Sequence, residues 1–464
     1  MHSLDSNFVW NQWLALLGGA KNEMKSTTNN PGFEVIPVPV ALAKIPAMLR
    51  NPIPVVFRNL EKYGDPYGVQ MGGQLAVITT RPSIIQHFLQ KNHKNYAKSD
   101  IQTEKLARFL GKGLLTLDGN EWLKQRRLIQ PGFHKQRIMA MQTNMEGTSA
   151  QLFQELGKEV GAESKVIDMK SFMMRMAFMM VSNALFSGVA SDRQLNGIRD
   201  AIGCSQDALV KLLRLPFLEW WLNRTLVPNA LKKVDQSCRD LFELINQRKE
   251  GGIQGDGDLL DMLLAARYED TGELMTDQQL IFELLVLFVA GHETTANALT
   301  WATFLLAQNP EVVMKLRSEA ASGRDEYLMQ VINEVLRMYP PAWITDRLSL
   351  AEDEIDGISI KPRTLMAGFI YGTHHQPSFW ANPEVFNPDR FATGSEHAPF
   401  SFLPFGGGPR LCIGMQFALM EMKIVLGNLI EHFDFEAVDP NAVRMKPLVT
   451  LGMRDTLPIR MQVR

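Results

Sequence analysis

A chain of 464 residues, 45% hydrophobic and 21% charged, holds enough apolar material for one large domain or two to three average ones, and too much for a disordered protein. Its formal net charge of −2 leaves no overall positive field to attract nucleic acid or an anionic membrane. Three scattered cysteines, Cys204, Cys238 and Cys412, exclude a disulfide framework and a zinc cluster with paired ligands; they suit a reducing compartment, so a cytoplasmic location is expected.

In chain order, residues 1–30 read as a leader or short amphipathic extension. Residues 8–20 are apolar but short, include Asn11 and Gln12, and lack a preceding basic region. No transmembrane span is expected there; a short helix with Trp10 and Trp13 on one side is, with peripheral membrane contact as its functional alternative. Pro31, Pro37, Pro39 and Pro46 mark an extended entry arm where the folded body begins. Pro52–Tyr63 opens at prolines as a helix, and Tyr67–Met71 with residues 75–79, separated by Gly72 and Gly73, predicts a β-hairpin. From Arg81 onward helical periodicity predominates, which predicts a mainly α fold with small β-sheets.

Residues 118–130 predict a helix stopped by Pro131 and Gly132, with Trp122 and Arg126 one turn apart, so that an indole donor and a guanidinium share one face. Residues 212–227 include Leu215, Pro216, Phe217, Leu218, Trp220, Trp221 and Leu222, more apolar surface than a loop usually shows, and a cover over it is expected. Thr276 with Gln279 three residues on is a capping-box pattern, and the apolar run behind it lasts until Asn309 and Pro310. Asp277–Gln308 would cross roughly 48 Å and should run through the middle of the protein. At its centre Ala290, Gly291, His292, Glu293, Thr294 and Thr295 break the apolar pattern with a glycine and polar groups, which is costly in a buried helix unless something uses them. Small residues there let a flat ligand approach the backbone, and an acid beside a hydroxyl can relay protons. The structural alternative is a helix bent by Ser/Thr back-bonding around a buried acid. Residues 325–339 predict a helix ended by Pro340 and Pro341, with Glu334 and Arg337 on one face. Asp356 and Gly357 before Ile358, Ser359 and Ile360 predict a second hairpin.

The most specific stretch is 405–414, Phe-Gly-Gly-Gly-Pro-Arg-Leu-Cys-Ile-Gly. Glycines and Pro409 forbid regular structure as far as Cys412, and the apolar period through Phe417, Met420, Ile424 and Val425 then reads as a helix. Cys412 therefore sits on a loop at a helix start, where free N–H groups, the helix dipole and Arg410 favour a thiolate. Such a thiolate is a ligand or a nucleophile; an isolated cysteine would more simply be a small core residue.

The spacing of Phe405, Gly408, Arg410, Cys412 and Gly414 resembles the haem-binding signature of the cytochrome P450 family, the haem-thiolate monooxygenases, here of a bacterial soluble type with no fused reductase. The resemblance implies one haem domain over residues 31–464, folded as a triangular α prism with a smaller β region. It implies haem b with Cys412 as axial iron ligand, shielded by Phe405 and by the backbone N–H groups that follow at Gly414. Trp122, Arg126, Arg347 and Arg410 would neutralise the haem propionates. Ala290 and Gly291 would lie beside the haem, Glu293 and Thr294 would be the acid–alcohol pair, and Glu334, Arg337 and Arg390 would form a buried structural network. Residues 212–227 would form a lid over the substrate channel, and His292 would be structural. The implied reaction is insertion of one atom of the co-substrate O2 into a small lipophilic molecule, by hydroxylation or epoxidation; a fatty acid, alkane or terpenoid-like compound suits the apolar segments. Electrons would come from NAD(P)H only indirectly, through a ferredoxin- or flavodoxin-type partner with its reductase, because no spare length and no Gly-x-Gly-x-x-Gly after a strand is found. Nucleic acid is not an expected partner. The alternatives are a peroxide-driven peroxygenase, a non-catalytic haem sensor, or a haem-free helical binding module.

Overall fold

The computed structural model describes residues 31–71, 73–188, 190–215, 218–252 and 257–464; the leader, Gly72, Pro216 and Phe217 lie outside the described residues. Helices carry most of the described chain and the strands gather into small sheets, as the periodicity predicts. Contacts divide the chain into two compact units, one running to Ser99 and including Ile344–Thr373, the other formed by Asp100–Trp343 with His374–Arg464.

The first unit is built on a six-stranded sheet in the order Glu34–Ile36, Tyr67–Met71, Gln74–Thr79, Leu365–Gly368, Thr345–Ser349, Tyr96–Ala97. Tyr67–Met71 and Gln74–Thr79 form the expected antiparallel pair, with Tyr67 opposite Ile78. Helix Pro52–Tyr63 starts where expected because the Asn51 side chain accepts the Ile53 N–H at 3.1 Å, satisfying one of the donors left open at a helix start. The second hairpin joins Asp353–Ile355 to Ile358–Ile360. Its two turn residues, Asp356 at φ +50° and Gly357 at φ +75°, adopt the left-handed conformation that a two-residue hairpin turn requires.

The second unit is organised around helix Asp277–Gln308. Apolar on nearly all sides, this helix is stable only when surrounded, and it packs against Met169–Phe186, Met415–His432 and Glu326–Met338. By length and composition it could cross a membrane, but most of its apolar stretch is buried inside the protein. At its start Thr276 accepts the Gln279 N–H at 3.2 Å. The reciprocal half of the expected capping box, in which Gln279 Oε1 would accept the Thr276 N–H, is not formed; the Gln279 amide nitrogen donates to the Lys112 carbonyl at 2.8 Å and to Glu283 at 2.9 Å.

Helices Asp192–Arg214 and Glu219–Gly251 pack on one another. Leu212, Leu222 and Val227 are covered by Phe109, Ala208, Leu209 and Ala230, whereas Trp220 and Trp221 remain 41% and 47% exposed. Two small sheets complete the unit: Phe433–Ala437, Pro458–Val463 and Lys165–Asp168 in one, and the hairpin Met445–Pro447 with Leu451–Met453 in the other.

Candidate functional site

The cysteine loop owes its shape to glycine. Gly406 and Gly408 hold φ at +76° and +69°, and a Cβ on Gly407 would stand 2.6 Å from the Phe400 ring. The loop closes on itself: Cys412 N–H donates to the Phe405 carbonyl at 3.0 Å and Leu411 N–H to Gly408 at 3.1 Å. Helix Met415–His432 follows from Gly414 as N-cap, so the thiol stands at a helix start as expected.

Its electrostatics differ from expectation. Burial pushes the Cys412 thiol above its ordinary range, against the pull of the Gly414 N–H and of Arg126. Arg410 does not supply that pull, because its guanidinium is ion-paired with Asp118 and lies 5.0 Å over the Trp122 ring. Cys412 is nonetheless the exposed cysteine of three free ones. A cysteine at once deeply set and exposed lines a cleft, where a bound cation would favour its thiolate.

Three further features describe the cleft. Trp122 is buried on helix Gly119–Ile129. One turn later Arg126, half-buried, donates to Gln130 at 3.2 Å; burial lowers its pKa and the nearby Cys412 raises it. Arg410 Nη1 is buried with no hydrogen-bond partner, an orphaned donor on a charged group, which calls for an anionic acceptor from a ligand.

On the central helix Ala290 is exposed although Leu284, Leu285, Val286, Leu287 and Phe288 before it, and Thr295 to Leu306 after it, are buried. Its small side chain therefore looks into open space. At Gly291 a Cβ would meet a Val181 methyl at 3.0 Å, so the missing side chain admits helix Met169–Phe186. Thr294 Oγ1 donates to the Ala290 carbonyl at 2.6 Å, which is the back-bonding raised as the structural alternative. The Glu293 carboxyl is bound to Gln206, at 2.5 Å, and to Thr450, and burial raises its pKa. His292 is occupied structurally, its Nε2 3.1 Å from the Met174 carbonyl and its ring edge-on to Phe178.

Beneath the loop, Glu334 and Arg337 form a fully buried bidentate pair at 2.7 and 2.9 Å. Arg390 joins at 3.2 Å on Glu334 Oε1, which also accepts the Asn387 N–H at 3.0 Å. Arg337 donates onward to the carbonyls of His374 and Pro383, both at 2.8 Å. The expected three-way network is therefore assembled. His374 extends it: Nδ1 lies 3.1 Å from the Arg337 carbonyl, and Nε2 accepts the Leu403 N–H at 2.8 Å, two residues before Phe405. Burial holds this imidazole neutral, with its pKa lowered to about 3. Arg347 lies in the first unit, buried on strand Thr345–Ser349, with Nη1 donating to the Asp346 carbonyl at 2.6 Å.

Trp122, Arg126, Arg410 and Cys412 are thus brought together, and a haem fits this donor set: a thiol open to a cleft, an orphaned guanidinium nitrogen, and a small residue facing open space. Asp118, Gln206, His374 and Thr450 complete the picture, and sequence reasoning gave them no role or only a weak one. Comparison with known proteins agrees with the geometry. A family model described as "Cytochrome P450" matches residues 31–461. The chain is 28% identical to "Cytochrome P450 97B2, chloroplastic" of Glycine max, over 97% of this chain and 89% of that one. It is 31% identical to "Cytokinin hydroxylase" of Arabidopsis thaliana, over 85% of this chain and 80% of that one. Among solved structures, retinoic acid bound cyanobacterial CYP120A1 superposes with a TM-score of 0.78 at 23% identity, covering 88% of this chain and 93% of that one; at this identity the likeness concerns the fold.

Proposed function

The chain belongs to the cytochrome P450 family, and from that premise we propose that it inserts one atom of O2 into a lipophilic organic substrate, with Cys412 as the iron ligand and electrons drawn from a separate protein. Membership makes it an oxidoreductase, a haem-thiolate monooxygenase with the family's fold, haem cofactor and use of O2. Bound haem supplies an iron centre at which thiolate donation favours cleavage of the O–O bond.

This chain's residues do the rest. Cys412 Sγ would hold the iron, and the Gly414 N–H, which donates toward the sulfur, would tune its basicity. The orphaned Arg410 Nη1, with Arg126 and Trp122, would bind the propionates. Glu293 and Thr294 move protons to the oxygen-binding side, which requires the acid to leave its present partners and the hydroxyl to turn from the Ala290 carbonyl. Of the segments that resemblance assigns to substrate, residues 212–222 are predominantly apolar, which supports a fatty acid, alkane or terpenoid-like compound. Hydroxylation is the reaction that one relative, the cytokinin hydroxylase, is named for. NAD(P)H would act only through a ferredoxin- or flavodoxin-type partner.

The observation that carries the reading is the exposed Cys412 at a helix start together with the unpartnered Arg410 nitrogen. Its test is the reduced, carbon-monoxide-treated spectrum of the haem-loaded protein. A red-shifted Soret band that disappears in Cys412→Ala is expected; an unshifted band in the unmutated protein overturns the assignment.

A further inference from the structure

Glu293 does not lean on the hydroxyl beside it in sequence. Gln206 Nε2 donates to Glu293 Oε2 at 2.5 Å, and the Thr450 hydroxyl bonds the same carboxyl. Thr450 Oγ1 also accepts from Asn297 Nδ2, one turn further along the central helix, at 3.0 Å. The ties come from two different elements. Gln206 belongs to helix Asp192–Arg214, whereas Thr450 lies between strands Met445–Pro447 and Leu451–Met453. From the same helix Arg214 Nη2 donates to the Pro447 carbonyl at 2.5 Å, so that one helix holds both the acid and the hairpin that carries its second partner.

The geometry points to Gln206 as a positioning residue for proton delivery: its amide fixes the Glu293 carboxyl to helix Asp192–Arg214 and so couples the acid's orientation to the seating of that helix. This rests on the reading of Glu293 as proton donor. In this arrangement the carboxyl is tied to Gln206 and the Thr294 hydroxyl to the Ala290 carbonyl, so handing a proton from one to the other requires these contacts to open. Gln206 also favours the charged acid, in opposition to burial. The groups around the carboxyl are neutral, Gln206, Thr450 and Asn297, and no charged group contributes to its shift. His292 beside it faces the Met174 carbonyl, and Arg199 acts on His292.

The test uses haem-loaded protein with a plant-type ferredoxin and its reductase, and needs no known substrate. The first readout is the infrared titration of the Glu293 carboxyl, isolated as the difference from Glu293→Gln. The second is the ratio of hydrogen peroxide to water formed from the oxygen consumed, because a second proton on the outer oxygen separates the two products. In Gln206→Leu the carboxyl should titrate about one pH unit higher, and the peroxide-to-water ratio should change roughly tenfold. Peroxide-driven oxidation of a dye and the carbon monoxide spectrum should not change, whereas a merely structural role would impair both. Gln206→Asn, whose shorter arm keeps the amide but draws it back, should behave like Gln206→Leu. If either variant keeps the original titration and ratio, the proposal is overturned. If Glu293→Gln itself leaves the ratio unchanged, it is the proton-donor reading that fails.

Discussion

Arg410 shows how one side chain can be both satisfied and waiting. Asp118 and the Trp122 ring hold its guanidinium in place, while Nη1 stays buried and unpartnered. A hydrogen bond involving a charged group is worth about 1.5–3 kcal/mol. Arg410→Gln should therefore release haem roughly ten- to a hundredfold faster, measured by transfer to apomyoglobin; equal loss rates would remove Arg410 from the propionate site. Glu421 waits in another way. Fully buried on helix Met415–His432, neither of its carboxyl oxygens has a partner, and desolvation raises its pKa well above 4.5. The folded protein keeps it protonated, whereas the unfolded chain ionises it above pH 4.5. Stability from this group is therefore fully present below the unfolded value and falls as pH rises toward the folded one, by about 1.4 kcal/mol per unit. In Glu421→Gln, thermal midpoints at about pH 5 and pH 7 should lie closer together than in the unmutated protein; an identical separation would mean the acid does not titrate in this way.

At the scale of elements, the central helix separates two residues that look alike in sequence. Ala290 faces open space, while Gly291 faces Val181. Ala290→Phe should therefore leave the fold's helical signal and unfolding midpoint near their original values while blocking haem uptake. Gly291→Ala should instead cost on the order of 1 kcal/mol through overpacking, offset in part by its better helix propensity, with haem uptake retained. The reverse pattern in circular dichroism and haem titration would exchange their roles. The helix itself was legible to the residue, since a long apolar period opened by a capping threonine and closed by Asn-Pro has one local solution. Both hairpins and the cysteine loop were legible for the same reason: glycines and turn residues act within a few positions. What could not be read was which donors converge. Gln206 lies 87 residues from Glu293, and Asp118 lies 292 from Arg410; spacing along a chain carries no record of such meetings. The thiol's raised pKa escaped for a related reason. A helix start and a nearby arginine argue for a thiolate, but the depth that opposes it belongs to packing and not to the motif.

For the whole molecule the consequence concerns electrons. The family match takes up residues 31–461, and no group of His, Cys, Asp or Glu among the described residues could hold another metal. Haem is the cofactor that family membership gives this chain, and a haem accepts single electrons where a nicotinamide delivers a hydride. On the proposed reading, a separate electron-transfer partner would split that pair before it reaches the haem. The 464-residue protein, loaded with haem and given NAD(P)H alone, should consume no oxygen above the rate of free haem. Adding a ferredoxin or flavodoxin with its reductase should start consumption, and Cys412→Ala should abolish it while leaving the partner's own oxidation of NAD(P)H intact. Oxygen consumption with NAD(P)H alone, followed by electrode, would instead place a hydride acceptor in this chain and overturn the need for a separate partner.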